Sequence, residues 1–319
     1  MNPISAILDS LVLYRYSLVL ALACAAGVCF FMACCSNRNI PSHRAADCAL
    51  TASILSLFFS RVIYWYSRPD QFSSFLQALT ANSTEAFALA GVFAGCPLAV
   101  LLIGHQGSRK TMLDAMSVSG CFSMALGRLA CFFTETNRGQ MMTRFTTLPW
   151  AYPVANASGQ LEYRFAVFLF QAMIAAALGI FLAVLFFRRK TRQGDITILF
   201  VLCYSASQVI LDSTRYDSLY LRSNGFVSIV QVLSALALAA VLVLLSIRAV
   251  RVHGLKKYLF LLWITLAALF GGTGYMEYYV QRHGREAAFA YTVMGIFLIS
   301  IVALGFLLWH LSRAAQTDK

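Results

Sequence analysis

Charge is what this sequence has least of: 12% of its 319 residues are Asp, Glu, Lys or Arg, and acids number 13 against 25 bases. A soluble domain is typically about a quarter charged, so a water-facing globule, a disordered polymer and a nucleic-acid-binding domain are all excluded. Paired metal-ligand cysteines are also missing. The nine cysteines lie almost entirely within apolar runs, none forms a CxxC pair, and no spacing suits zinc or an iron–sulfur cluster. They read as small apolar packing residues, which excludes a secreted disulfide scaffold and implies no metal and no cofactor. The N-terminus lacks a positive stretch and runs into an apolar segment longer than a signal core, so no cleavable signal peptide is expected.

What is present is apolar surface: 60% of the residues are hydrophobic, with a mean hydropathy of +0.71. A helix needs about 20 mostly apolar residues to cross the hydrocarbon core. Nine segments qualify: 11–34, 45–66, 86–104, 111–133, 165–187, 195–214, 225–247, 258–280 and 287–311. The expected fold is therefore all-α and polytopic. The longest interruption, 134–164, reads as a small cap on one membrane face, and 67–85 as an arm on the same face.

The formal net charge of +12 belongs to short basic clusters between spans, where such clusters set topology. One set of loops carries Arg38, Arg44, Arg109, Lys110, Arg188, Arg189, Lys190, Arg192, Arg248, Arg251, Lys256, Lys257, Arg313 and Lys319 against Asp47, Asp195 and Asp318. The opposite loops mix signs, as in Glu135 with Arg138 and Arg144. The basic set is expected to be cytoplasmic, with the N-terminus outside and the C-terminus inside.

Charges inside spans are costly and usually mark function. Counted from the outer ends, Arg15 and Tyr16 lie high in the first span, and Arg61 in the outer third of the second, below Tyr64 and Tyr66. Arg128 lies about five residues inside the fourth, Asp212 and Arg215 end the sixth, and Gln231 lies about two turns into the seventh. Five spans thus bring polar groups to one depth, which predicts a chamber open to the outer leaflet. Arg61 is equally consistent with snorkelling to the headgroups, and Asp212 with Arg215 with a structural i,i+3 pair. Gathered guanidiniums suit a phosphodiester, which arginine grips through paired donors.

At these residues the chain resembles the prolipoprotein diacylglyceryl transferase family over about residues 8–250. Leu13-Tyr14-Arg15-Tyr16-Ser17-Leu18 is similar to the family's His-Trp-Tyr-Gly-Leu, and Phe59-Ser60-Arg61-Val62-Ile63-Tyr64 to Gly-Gly-Arg-Ile-Gly-Tyr. Ala125-Leu126-Gly127-Arg128-Leu129-Ala130-Cys131-Phe132 resembles the signature around Gly-Arg-Leu-Gly-Asn-Phe. Tyr204, Asp212 and Arg215 match a Tyr, an acid and an Arg at equal spacing, and Ser228-Ile229-Val230-Gln231-Val232-Leu233-Ser234 is similar to Ser-Met-Gly-Gln-Ile-Leu-Ser.

The resemblance implies transfer of diacylglyceryl from phosphatidylglycerol, or another anionic lipid, to the thiol of a prolipoprotein's lipobox cysteine. It places this in a bacterial cytoplasmic membrane, with no nucleic acid involved. It implies that Arg128 and Arg215 bind the phosphate, and that Arg61, Tyr16, Tyr204 and Gln231 hold substrate. Thiol alkylation needs a proton acceptor, for which Glu135 and Asp212 are the candidates; His283 is more simply read as a solvated loop residue.

Several family residues are replaced. No histidine lies near Phe87–Gly91, where the family's His-Gly-Gly falls. Cys131 stands for its asparagine and Gln208 for an arginine, Thr134-Glu135-Thr136 replaces Asn-Gly-Glu, and Arg164–Gln171 replaces the His-Pro-x-Gln-x-Tyr-Glu box. A relative that binds lipid or lipoprotein without catalysis therefore stays open beside the enzyme. A small-solute transporter is disfavoured, since no internal repeat and no mid-membrane acid are visible. The expected division is a seven-span region, 1–250, and two added spans, 251–319. Within the latter, Gly271-Gly272-Thr273-Gly274 is expected to interrupt the eighth span, through close packing or at a substrate site.

Overall fold

The computed structural model describes residues 14–80, 87–134, 136–142, 146–156, 158–221, 224–254, 256–282 and 287–313. Among them, eight helices are long and apolar enough to cross a membrane. They are α1 (Arg15–Asn37), α2 (Ser42–Ser67), α5 (Arg109–Leu129, continued by a 3-10 turn, Ala130–Phe133), α6 (Val167–Arg188), α7 (Asp195–Ser213), α8 (Ile229–His253), α9 (Lys256–Arg282) and α10 (Ala287–Leu311). The short α3 (Phe75–Thr80) lies in the segment 67–85, expected as an arm. The chain is an all-α multi-pass membrane protein.

The expected third span is shorter than the sequence suggests. Segment 86–104 forms α4 (Ala90–Ile103), 14 residues or about 21 Å at 1.5 Å per residue, against a hydrocarbon core of about 30 Å. Its N-terminal end is fixed by tertiary contact: the Ala88 N–H donates to the Ser60 carbonyl of α2 at 3.2 Å. A Cβ on Gly91 would sit 2.1 Å from the Ser60 backbone nitrogen, and one on Gly95 would sit 2.5 Å from that of Ser56. Gly91-Val92-Phe93-Ala94-Gly95 is thus a small-residue helix-packing motif, and it brings two backbones together where no side chain fits.

The chain divides into two compact units, 1–197 with 214–222, and 198–213 with 223–319. In the first, α1 and α6 cap each other's C-termini: Arg38 donates to the Phe186 carbonyl and Arg189 to the Asn37 carbonyl. The last carbonyls of a helix have no intrahelical partner, and a cation there also opposes the helix dipole. The start of α7 is held by a carboxylate from another helix. Asp114 of α5 accepts from the Gly194 N–H (2.7 Å), the Thr197 N–H (2.9 Å) and the Thr197 hydroxyl (2.8 Å). The expected cap contains an antiparallel hairpin, β1 (Ala151–Ala155) with β2 (Leu161–Phe165), pairing Ala151 with Phe165 and Ala155 with Leu161. Asn156 closes its loop by accepting from the Ser158 and Gln160 N–H groups, and Gly159 supplies a φ of +78°.

In the second unit, strand β3 (Asn224–Ser228) leads into α8, which ends on Gly254 with a φ of +64°. A Cβ on Gly305 of α10 would fall 2.6 Å from the Leu202 side chain of α7. The expected interruption of the eighth span is absent, because α9 runs unbroken through Gly271–Gly274. Among the described residues, Gly272 is the one glycine of that run whose Cβ would meet a neighbour, the Phe297 ring of α10.

Candidate functional site

Two packed helices carry the arginine of the fourth span and the tyrosine of the first. Gly27 of α1 abuts Ser123 of α5, whose hydroxyl donates to the Ala23 carbonyl at 2.9 Å. Gly127 lies in contact with Leu20 and Ala23. Arg128 is therefore on an α5 turn that rests against α1, and Tyr16 is one α1 turn before Leu20. Arg15 lies over the Phe133 ring, 4.9 Å from its centroid, which joins the start of α1 to the 3-10 turn that ends α5. Arg128 is half-buried in the last turn of α5, where the helix dipole favours a cation. Among the described residues, no carboxylate lies within ion-pair distance of it.

On α2 the Arg61 guanidinium stacks on the Phe87 ring at 4.0 Å. Phe87 occupies the region where the family histidine is missing. An aromatic face holds a guanidinium through the ring quadrupole, so Phe87 orients Arg61.

Arg215 is not helical. It lies two residues beyond the end of α7, on a strand-like stretch of the first unit, bridged to Gly139 of the cap. Its Nε donates to Asp217 Oδ1 at 3.0 Å, and Asp217 Oδ2 accepts from the Asn137 N–H at 2.7 Å. Asn137 Nδ2 in turn donates to Gln171 of α6 at 2.7 Å. The Gln140 N–H donates to the Thr214 carbonyl, and the Tyr216 N–H to the Arg138 carbonyl. Gly139 permits this docking: a Cβ there would lie 2.9 Å from the side chains of Phe165 and Val167.

The centre of the cap is Arg138, which the sequence reading treats as one charge in a mixed outer loop. It is fully buried, held between the Tyr152 and Phe168 rings at 4.0 and 4.4 Å. It donates to the carbonyls of Cys131 (2.8 Å) and Thr134. One side chain thus ties the α5 exit to the hairpin and to the start of α6. Glu135, expected as a proton acceptor, and His283 lie outside the described residues.

The second unit brings Asp212 and Gln231 together through Ser228. Asp212 is buried and accepts from the Ser228 hydroxyl. Ser228 caps α8: its hydroxyl oxygen accepts from the Gln231 N–H at 3.0 Å, while Gln231 Oε1 accepts from the Ser228 N–H at 2.9 Å. Gln231 Nε2 donates to the Val209 carbonyl of α7 at 3.3 Å. Gln231 therefore lies in the first turn of α8, not two turns in, and both ends of its amide are occupied. The signal was legible, since Ser228-Ile229-Val230-Gln231 has the spacing of a capping box. Tyr204 is buried and stacks on Phe200 at 5.3 Å.

A further carboxylate, Glu277, stands inside the eighth span. It lies in α9, is 6% exposed, and accepts from the Ser213 hydroxyl at 2.5 Å and from Gln281 Nε2 at 3.3 Å. An acid within an apolar span is the signal that marks it.

Among known proteins, the phosphatidylglycerol–prolipoprotein diacylglyceryl transferase of Acaryochloris marina is 25% identical over 237 residues, covering 72% of this chain and 84% of that protein. The protein of the same name from Shouchella clausii is 24% identical over 244 residues, covering 72% and 86%. That of Streptococcus equi subsp. zooepidemicus is 24% identical over 249 residues, covering 74% and 93%. The profile of the prolipoprotein diacylglyceryl transferases matches residues 3–247, all the elements from α1 to most of α8, and the chain belongs to that family.

Proposed function

We propose that this protein transfers the diacylglyceryl group of phosphatidylglycerol to the cysteine thiol of a prolipoprotein, at the outer face of a bacterial cytoplasmic membrane. The observation that carries the reading is Arg128, retained at the end of α5 in a chain whose family match spans residues 3–247. In the reaction the thiol loses its proton, and sulfur attacks the diacylglyceryl carbon that bears the phosphate ester. The carbon–oxygen bond breaks, its electron pair leaves on the phosphate oxygen, and glycerol phosphate departs. Arg128 and Arg215 neutralise the phosphate as charge grows on it. Arg61 and Tyr16 line the headgroup side, and Tyr204 and Gln231 shape the substrate's surroundings without a direct chemical step. Asp212 or Glu135 receives the thiol proton.

The test is direct. Purified protein in phosphatidylglycerol nanodiscs, given a lipobox peptide, is expected to add one diacylglyceryl thioether, read by peptide mass. A second reading, a relative that binds the lipid without chemistry, draws support from Phe87 on Arg61 where the family histidine falls, and from Gln208 in place of an arginine. Retained phosphatidylglycerol binding with no thioether selects it.

The orientation is part of the same proposal: N-terminus outside, with the cap and Arg128 toward the outer leaflet. In a background without native cysteines, single cysteines at 150 and 159 are expected to react with an impermeant thiol reagent from outside. Cysteines at 109 and 191 are expected to stay unlabelled. Labelling of 191 from outside inverts the chain and puts Arg128 at the wrong face.

A further inference from the structure

The family match ends at residue 247, before α9 and α10 begin, yet both of those helices reach the same residue of α7. Glu277 of α9 takes the Ser213 hydroxyl at 2.5 Å, and the Tyr291 hydroxyl of α10 donates to the Ser213 carbonyl at 3.2 Å. Ser213 is the last residue of α7. It directly follows Asp212, whose carboxylate holds the Ser228 hydroxyl at the start of α8, and precedes Arg215 by two positions in the chain. A helix's final carbonyls have no partner within the helix, and in an apolar medium each must be satisfied by another element. Tyr291 does this for Ser213. Glu277 grips the same residue from its side chain, through a hydrogen bond of the short type that a carboxylate makes with a hydroxyl. A buried carboxylate is an expensive way to pack two helices; aliphatic side chains join them more cheaply.

We propose that α9 and α10 are a positioning element for transfer. In this assignment Glu277 and Tyr291 clamp the α7 exit at Ser213, and so fix the direction of Asp212, the residue before it. Neither touches substrate in this assignment; each acts through Ser213. The proposal rests on the transferase reading, and it extends that reading to two helices outside the matched region.

The test uses the full chain in phosphatidylglycerol nanodiscs, with the lipobox peptide as acceptor. Glu277→Leu removes the acceptor for the Ser213 hydroxyl, and Tyr291→Phe removes the donor to its carbonyl. Each is expected to lower kcat by about tenfold, and the pair by about a hundredfold, with KM for the lipid within about threefold. Glu277→Gln keeps an oxygen that accepts from Ser213, so this conservative variant is expected to restore kcat to within about threefold of the parent. Backbone hydrogen exchange over 209–214 is expected to rise in Glu277→Leu and Tyr291→Phe, while global unfolding temperatures stay near the parent's.

Parental kcat in the double variant overturns the proposal. So does Glu277→Gln as slow as Glu277→Leu, which makes the charge rather than the grip the active feature. If the parent itself forms no thioether, the transferase reading fails separately, and the exchange measurement decides the clamp: raised exchange at 209–214 sustains it, parental exchange overturns it.

Discussion

Arg128→Lys is expected to lower diacylglyceryl transfer by about 100-fold or more, with the protein still inserted and folded. The side chain is half-buried in the last turn of α5, and no described carboxylate holds it in an ion pair. A cation at this depth has to be neutralised or hydrated, and the lipid phosphate is the anion the proposed reaction brings. A guanidinium meets a phosphate through two parallel donors in one plane, whereas an ammonium meets it as a point charge. Losing one charged hydrogen bond costs about 1.5–3 kcal/mol, and the loss falls on the step in which negative charge grows on the leaving oxygen. Arg128→Ala should be slower still. Both variants should keep the parent's unfolding temperature, because α1 packs on α5 through Gly127, Ser123 and the Phe30–Phe122 ring pair. The checks are kcat and KM by peptide mass, and phosphatidylglycerol binding to the detergent-solubilised protein. Parental transfer by Arg128→Lys sinks the phosphate-site reading of α5.

Arg138→Leu is expected to have the largest effect on stability, lowering it by about 3 kcal/mol or more. Two carbonyls at the α5 exit lose their donor, each left unsatisfied at about 1–3 kcal/mol. The Tyr152 and Phe168 rings lose the cation between them, worth about 0.5–2 kcal/mol for each ring. Leucine fills part of the volume and none of the polar demand. Arg138→Lys should be intermediate, since one ammonium serves a carbonyl but cannot lie flat between two rings. Loss of the cap should expose the 156–160 loop to protease and lower transfer as well, because the segment that holds Arg215 docks on residues 137–140. Thermal unfolding in nanodiscs and limited proteolysis of the hairpin measure this. An Arg138→Leu protein with the parent's unfolding temperature and protease resistance removes Arg138 from the centre of the cap.

The candidate site was legible where its signal is local and illegible where it depends on a partner far along the chain. Arg128 stands out because a charge interrupts an apolar run, a property of its own segment. Arg138 does not stand out, because its segment is polar. Only the rings of Tyr152 and Phe168, supplied 14 and 30 positions later, make it a core residue. Gln231 misled for the opposite reason: its position in an apolar stretch suggested a buried polar group awaiting substrate, while Ser228 three residues before it had already claimed the amide. Glu277 lies in a span too apolar overall for one acid to change its classification, and its partner Ser213 is 64 residues away.

What the sequence determined by itself is the all-α, multi-pass architecture and the family. Eight of the nine expected spans are long apolar helices, because crossing a membrane depends on apolar length summed over one continuous segment and on backbone groups satisfied within that segment. What only tertiary structure decided is where helices meet and which polar groups are already taken. The expected third span stops at 14 residues, where Ala88 bonds to Ser60 and Gly91 lets two backbones meet where no side chain fits. Likewise Asp114 is committed to the start of α7, Asp217 to Arg215, and Glu277 to the end of α7. Each of these rests on a hydrogen bond or close approach between specific atoms, and no sum over neighbouring residues encodes it.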